Sequence, residues 1–485
     1  MDGVNVSGAD VGELADVVVM GLGPGGEEVA ERLAEAGLDV VGIDGGLVGG
    51  ECPYWGCVPS KMMIRAGNLL AEGRRIPGMA GSSVVISDWD PVADRIRDEA
   101  TDDWDDTVAV ERFEGKGGRF VRGWARLDGP GRVTVTGTSF EARTAIVVAT
   151  GTRPWAPPVP GLAGTPYWTN RDAIECKELP ASLAVLGGGA IGVELAQVFA
   201  RFGVKVTIVE AAERLVALEE PESSQLVAEA LQADGVEVFT GCRIDGVAHD
   251  AGKFTVSWGG REGVTADRLL VATGRRPDLA AIGIDSVGLD PESPWLPVDD
   301  HLRVTRGLWA VGDVTGKGAF THVAMYQAGI AVSDILRAAG VSADAGDGNG
   351  DGDGVGVGDG IGDGADYRAL PRVTFTDPEV GAVGMTVAQA ETAGVRVKVG
   401  RAEIPASSRG WIHKAGNRGF ITLVEDADRG VLVGATSAGP VGGEVLGMLT
   451  LAVHAGVSTV ELRRMIYAYP TFHRAVEAAL ADLDG

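Results

Sequence analysis

A chain of 485 residues is too long for one hydrophobic core and points to about three domains. With 45% apolar and 23% charged residues it has the composition of an ordinary soluble globular protein, and no apolar run is long enough to cross a bilayer. The net charge of −26 repels nucleic acid and anionic lipid, so neither is an expected partner. Residues 1–15 are polar and acidic and lack the basic and apolar regions of a signal peptide, so the expected location is cytoplasmic.

In chain order, residues 15–20 form an apolar strand, followed at once by Gly21-Leu22-Gly23-Pro24-Gly25-Gly26. A helix is expected over 27–36 and a second strand over 39–43, ending at Asp44. This order of strand, G-x-G-x-x-G, helix, strand and acid is the pattern of a dinucleotide site. Gly21, Gly23 and Gly26 allow a tight turn and a close approach of backbone N–H groups to a pyrophosphate, and Asp44 accepts ribose hydroxyls.

Residues 49–61 read G-G-E-C-P-Y-W-G-C-V-P-S-K. Pro59 suits the first turn of a helix running to about residue 70. Residues five apart on a regular helix are too far apart for a disulfide, so Cys52 is expected in an irregular stretch before the helix, with Gly56 easing the bend. Cys57 then lies close to the helix N-terminus, where the dipole stabilises a thiolate. The competing readings are a structural disulfide or half a metal site. No second Cys or His cluster completes such a site, and no metal is expected. The isolated Cys176 and Cys242 read as small buried apolar residues.

The nucleotide pattern recurs. A strand over 183–186 leads into Gly187, Gly189 and Gly192, a helix that continues over 194–202, a strand over 204–209 and then Glu210. In both repeats 23 positions separate the first glycine from the acid. Glu210 followed by two alanines disfavours a 2′-phosphate, so NADH is the expected ligand. Arg214 is the one nearby cation, and it keeps NADPH from being excluded.

With both repeats and the cysteine box in view, the chain resembles the class I pyridine nucleotide–disulfide oxidoreductases along nearly its whole length. That family includes dihydrolipoamide dehydrogenase, glutathione reductase and mercuric reductase. Residues 149–154 and 272–277 look like its two A-T-G-x-x-P turns, which brings in Thr150, Gly151, Gly274 and Arg275. Residues 309–313 look like its second FAD motif, with Gly312 and Asp313. Residues 374–386 look like the start of its dimerisation domain.

The resemblance implies an α/β fold with two Rossmann-like dinucleotide-binding domains, for FAD and NAD(P), and a C-terminal α+β dimerisation domain. The expected boundaries are 1–157 and 290–342 for the FAD domain, 158–289 for the NAD(P) domain and 368–485 for the dimerisation domain. Between them, 343–367 form a Gly/Asp-rich flexible linker.

It also implies roles. Cys52 meets substrate, Cys57 lies beside the flavin, and Lys61 lies near the flavin paired with Glu194. Gly50 and Glu51 belong to the FAD side of the box. The implied activity carries hydride from NADH to FAD and on to the disulfide Cys52–Cys57, then to a small-molecule disulfide or dithiol. The implied assembly is a homodimer in which each site is completed by the partner's C-terminal segment. The alternatives are a quinone-type or mercuric-reductase-like flavin reductase and a redox-responsive subunit of a larger complex.

The C-terminal segment departs from the family's H-P-T-x-x-E. Here Tyr469 stands at the histidine position and Arg474 at the glutamate position. Three readings stay open: Tyr469 is the proton donor or positions ligand, His473 is a displaced base with Glu477 on its helix face, or neither moves a proton. Between the cysteines, Pro53-Tyr54-Trp55 either lines the approach to the disulfide or packs locally.

Overall fold

The computed structural model describes residues 12–341 and 364–484. Most of the expected linker at 343–367 lies outside the described residues, as does most of the stretch 1–15 used to argue against a signal peptide. The chain divides into two compact units. The first comprises Met1–Val58, Ala100–Arg153 and Arg275–Asp366, and the second Pro59–Glu99, Pro154–Gly274 and Tyr367–Gly485.

The first unit is built on an eight-stranded sheet. Its centre is parallel: Leu308–Ala310, Thr138–Val148, Glu13–Met20, Val40–Asp44 and Arg119–Arg122 lie side by side in that order. The central strand Glu13–Met20 is wholly buried from Val17 onward, as expected of a strand covered on both faces. The helices Pro24–Glu35 and Thr321–Ala339 contribute Val29, Leu33, Ala328 and Ile335 to one buried cluster with Val17, Val19 and Val147.

The second unit holds three further sheets. Four parallel strands run in the order Glu237–Phe239, Lys205–Val209, Ser182–Leu186 and Arg268–Val271, which is the second nucleotide fold. An antiparallel meander, Ile244–Asp250, Lys253–Trp258 and Arg261–Ala266, packs Phe254, Val256 and Trp258 against it. A five-stranded antiparallel sheet is covered by the helices Gly442–His454 and Arg474–Asp482 through Leu446, Leu449, Val476 and Leu480.

Local structure differs from the sequence reading at three points. The first nucleotide helix starts earlier than expected, at Pro24, and both it and the second, from Ala190, begin inside their glycine motifs. Glycine is a poor helix former, yet Gly26 and Gly192 sit in the first turn because the packing has no room for a side chain there. A Cβ on Gly26 would lie 2.0 Å from the Gly21 carbonyl oxygen, and one on Gly192 2.1 Å from that of Gly187. Next, Cys52 does not lie in irregular chain; it sits in a one-turn helix, Glu51–Tyr54, that Gly56 separates from the next. Finally, the helix Cys57–Arg75 runs past residue 70, because Ala71 continues the buried face of Met63, Ile64 and Gly67, while Arg74 and Arg75 find partners beyond it.

Candidate active site

In the first unit, the chain leaves the strand Val40–Asp44 and enters the cysteine box, whose start folds against the first glycine loop. The Gly49 N–H donates to the Leu22 carbonyl at 2.7 Å. Gly50 has φ 65°, and a Cβ there would lie 2.8 Å from the Gly23 Cα, so only glycine lets the two loops meet. Cys52 is half-buried, and Cys57 is exposed at the first residue of its helix. Their side chains are within hydrogen-bonding range. The Cys57 thiol, aided by burial, holds the Cys52 thiol far above the ordinary thiol range. Thr321 Oγ1, at the start of the helix Thr321–Ala339, lies 3.4 Å from the Cys57 sulfur. Tyr54 is buried, with its hydroxyl 3.4 Å from the Asp105 carbonyl, so it packs locally; Trp55 stays half-exposed.

The two glycine loops are built alike. Gly21 (φ 95°) and Gly187 (φ 106°) lie on the backbone of the A-T-G turns: a Cβ would meet the Ala149 oxygen at 2.6 Å and the Ala272 oxygen at 2.4 Å. The acids close both loops from the far strand. Asp44 accepts from the Leu22 and Gly46 N–H groups, each at 2.7 Å. Glu210 accepts from Gly188 at 2.5 Å and Ala212 at 2.6 Å. Burial pushes the Asp44 carboxyl up, against those hydrogen bonds.

The middle glycines provide the test of cofactor fit. Gly23 and Gly189 have ordinary extended backbone, with φ −71° and −76°. A Cβ on Gly189 would meet nothing within 4 Å, and one on Gly23 only the Gly50 Cα at 4.0 Å. Nothing in the protein itself requires glycine there. Each caps a helix without a side-chain hydrogen bond, which leaves N–H groups open to an anion. Bare backbone at the positive end of a helix, with a ribose acceptor alongside, fits a dinucleotide pyrophosphate at both sites.

This gives a sharp expectation for Gly189→Ala. Unfolding stability should change by no more than about 0.5 kcal/mol, because the added methyl meets open space. The KM for NADH should nonetheless rise by about tenfold or more with FAD content unchanged, because the methyl occupies the approach of the pyrophosphate. Steady-state kinetics beside a denaturation curve checks both halves; an unaltered KM would place the nucleotide elsewhere.

A third part of the first unit surrounds Asp313. Thr152 donates to its carboxylate at 2.9 Å. Arg275 in turn bonds the Thr152 hydroxyl at 3.0 Å and carbonyl at 2.7 Å, and reaches Glu51 at 3.4 Å. Burial pushes the Asp313 carboxyl up. The preceding Gly312 N–H donates to Gln327 at 2.7 Å, which fixes the loop from the helix behind it. Thr150 and Gly151 (φ 62°) lie in the turn between Ala149 and Thr152; in the second unit, Gly274 (φ 119°) accepts from the Trp155 N–H at 2.9 Å.

In the second unit Lys61 Nζ lies 2.9 Å from Glu194, whose side chain is 7% exposed. The other Glu194 oxygen accepts from the Phe375 N–H at 2.8 Å, and Lys61 stands 4.6 Å over the Phe375 ring. Farther along the same helix face, Gln197 holds Asp377 through both its N–H (2.8 Å) and carbonyl (3.0 Å), and Arg201 pairs with its carboxylate at 2.8 Å.

The C-terminal residues fall otherwise than one reading had them. Glu477 pairs with Arg474 at 3.1 Å, because Arg474 opens the helix one turn before it, while His473 stands outside the helix at its cap. Arg474 also lies 5.5 Å over the Tyr469 ring. Tyr469 and His473 are both exposed, as are Ile466 and Leu451. Of the lone cysteines, Cys176 is buried, but Cys242 is only half-buried.

Sequence reading missed Thr152, Thr321, Gln327, Gln197 and Arg201. Thr152 stood within a recognised turn as one of its variable positions. Thr321 carried no signal, being 264 positions from Cys57.

The pyridine nucleotide-disulphide oxidoreductase model matches residues 15–328, and the model of that family's dimerisation domain matches 370–480. The chain belongs to the pyridine nucleotide-disulphide oxidoreductase family. It is 32% identical to a dihydrolipoyl dehydrogenase of Chlorobaculum tepidum, over 96% of each chain. It is 29% identical to a mercuric reductase of Bacillus cereus, over 97% of this chain and 71% of that one. The solved HOCl-induced flavoprotein disulfide reductase RclA of Escherichia coli matches with a TM-score of 0.80 at 25% identity, covering 96% of this chain and 99% of that one.

The protein is thus an FAD-dependent oxidoreductase that links a nicotinamide nucleotide to a disulfide, and its dimerisation domain makes it a homodimer. Among the described residues no helix is long and apolar enough to cross a membrane.

Proposed function

We propose that the protein reduces a small-molecule disulfide at the expense of NADH, with Cys52 as the exchanging thiol and Cys57 as its resolving partner. The observation that carries this reading is the paired thiols, with Cys52 held protonated by Cys57 and by burial. Bound FAD supplies the relay for an electron pair between the nicotinamide and the sulfurs. Gly21, Gly23, Gly26, Asp44 and Asp313 would hold it, and Gly187, Gly189, Gly192 and Glu210 would hold NADH.

The sulfur chemistry balances on the chain's own residues. The Cys52 thiol gives up a proton and attacks one substrate sulfur, breaking the S–S bond and releasing the first thiol. Cys57 then attacks the Cys52 sulfur, releasing the second thiol and forming the Cys52–Cys57 disulfide. The hydride of NADH, which is two electrons and one proton, together with one proton from solvent restores the dithiol and leaves NAD⁺. Because Cys52 holds its proton firmly, it needs an acceptor. We assign that acceptor to the C-terminal segment of the partner subunit, where Tyr469 and His473 are exposed. The engagement of Glu477 by Arg474 favours a role for His473 without an orienting carboxylate.

NADH is preferred over NADPH. Arg214, the cation nearest Glu210, is committed to the Ser224 hydroxyl at 2.6 Å and the Ala217 carbonyl at 2.7 Å. A working dithiol suits the reducing cytoplasm.

The test is an anaerobic titration of wild type and Cys52→Ser with NADH and, separately, NADPH, following the flavin spectrum. A long-wavelength thiolate-to-flavin band at two electrons per FAD is expected in the wild type, and the same band before any reductant in the variant. Direct bleaching in both would sink the disulfide reading and favour quinone-type acceptors. Faster reduction by NADPH would overturn the nucleotide preference.

A further inference from the structure

We propose that the indole of Trp124 forms a wall of the pocket for the adenine ring of bound FAD. Trp124 is the most exposed tryptophan among the described residues, at 79%. A ring of that size in water forgoes a large burial gain unless something covers it.

Its position is set by the sheet. The strands Val40–Asp44 and Arg119–Arg122 run parallel with Asp44 opposite Arg122, so Gly45 and Trp124 leave the same carboxyl edge side by side. The Gly123 N–H donates to the Asp44 carbonyl at 2.9 Å and locks the two exits together. Ligands of doubly wound sheets bind along this edge.

The indole lies against Gly45. A Cβ there would be 2.3 Å from Trp124 Cδ2, 2.5 Å from Cε2 and 2.8 Å from Cε3. Gly45 is not in the left-handed region, so the indole itself is what requires glycine at that position. The neighbouring cation is already committed: Arg122 bonds the Gly46 carbonyl, pairs with Asp106 at 2.6 Å and lies 4.6 Å over the Phe120 ring. What remains open next to the ribose acid Asp44 is an aromatic face. In a dinucleotide the base hangs on that ribose, and a purine stacks on an indole without needing a matched hydrogen-bond pattern.

The proposal rests on FAD occupying the first glycine loop. Full-length protein is stripped of flavin and titrated with FAD and, separately, with FMN, which lacks the adenine. Trp124→Ala is expected to raise the FAD dissociation constant about tenfold or more and to leave that of FMN within about twofold. Trp124→Phe keeps a stacking ring and should stay within about threefold for FAD. FAD, but not FMN, should quench an indole emission present in wild type and missing in Trp124→Phe. An FAD constant for Trp124→Ala within about twofold of wild type, or equal weakening of FAD and FMN, overturns the role. If wild type itself takes up no FAD, the cofactor's placement falls, and the wall with it.

Discussion

Cys57→Ser is expected to lower NADH-driven disulfide turnover by on the order of 10³-fold or more while FAD stays bound. Serine cannot resolve a mixed disulfide, so attack by Cys52 would stop at the covalent adduct. The hydroxyl can still meet Thr321, which lies 3.4 Å from the native sulfur, so the site should keep its shape. Two measurements read the outcome. Initial rates with a small disulfide should collapse, and intact mass should show one substrate thiol retained on the protein. Cys52→Ser should lose turnover equally but retain nothing. If Cys57→Ser turned over within about tenfold of wild type, electrons would be leaving the flavin by a route that bypasses the sulfurs.

Arg201→Ala is expected to cost about 3–5 kcal/mol of stability, the range for breaking a buried ion pair. The Arg201 side chain is 2% exposed and reaches Asp234 at 2.8 Å, Asp377 at 2.8 Å and Asn68 at 2.6 Å. Asp377 would keep Arg75 at 2.6 Å, which places the loss toward the lower end. Arg201→Lys should recover only part of it, since an ammonium lacks the planar fork that serves several acceptors. Denaturant unfolding of the two variants beside wild type measures the difference. A loss under about 1 kcal/mol for the alanine variant would mean that the network contributes no more than a surface pair.

The parts of this protein that were legible in its sequence are those in which neighbours in the chain are neighbours in space. The glycine loops, their acids and the cysteine box each fit within a few dozen residues, and backbone geometry dictates their composition. The first nucleotide helix starts inside its glycine motif rather than after it, because at Gly26 the packing admits nothing larger than glycine. Cys52 was placed in irregular chain because one turn of helix leaves no periodic signal. The contacts that brace the site were out of reach for another reason. Arg201 meets Asp377 across 176 positions, and Thr152 meets Asp313 across 161. No local pattern announces such pairs. Helical spacing offers Glu477 two neighbours, His473 and Arg474, and the fold pairs it with Arg474.

The helix Ala190–Arg201 serves two masters. Its first turn carries the glycines proposed to meet the nicotinamide nucleotide, and its Glu194, Gln197 and Arg201 grip the backbone and carboxylate of the Phe375–Asp377 loop in the dimerisation domain. The second nucleotide fold is therefore not a portable cassette. A chimaera that exchanges it for a relative's would carry a foreign grip to a native loop and strand buried polar groups at Glu194, Gln197 and Arg201, so the loop has to travel with the helix. Over generations, drift at either end is answerable to the other.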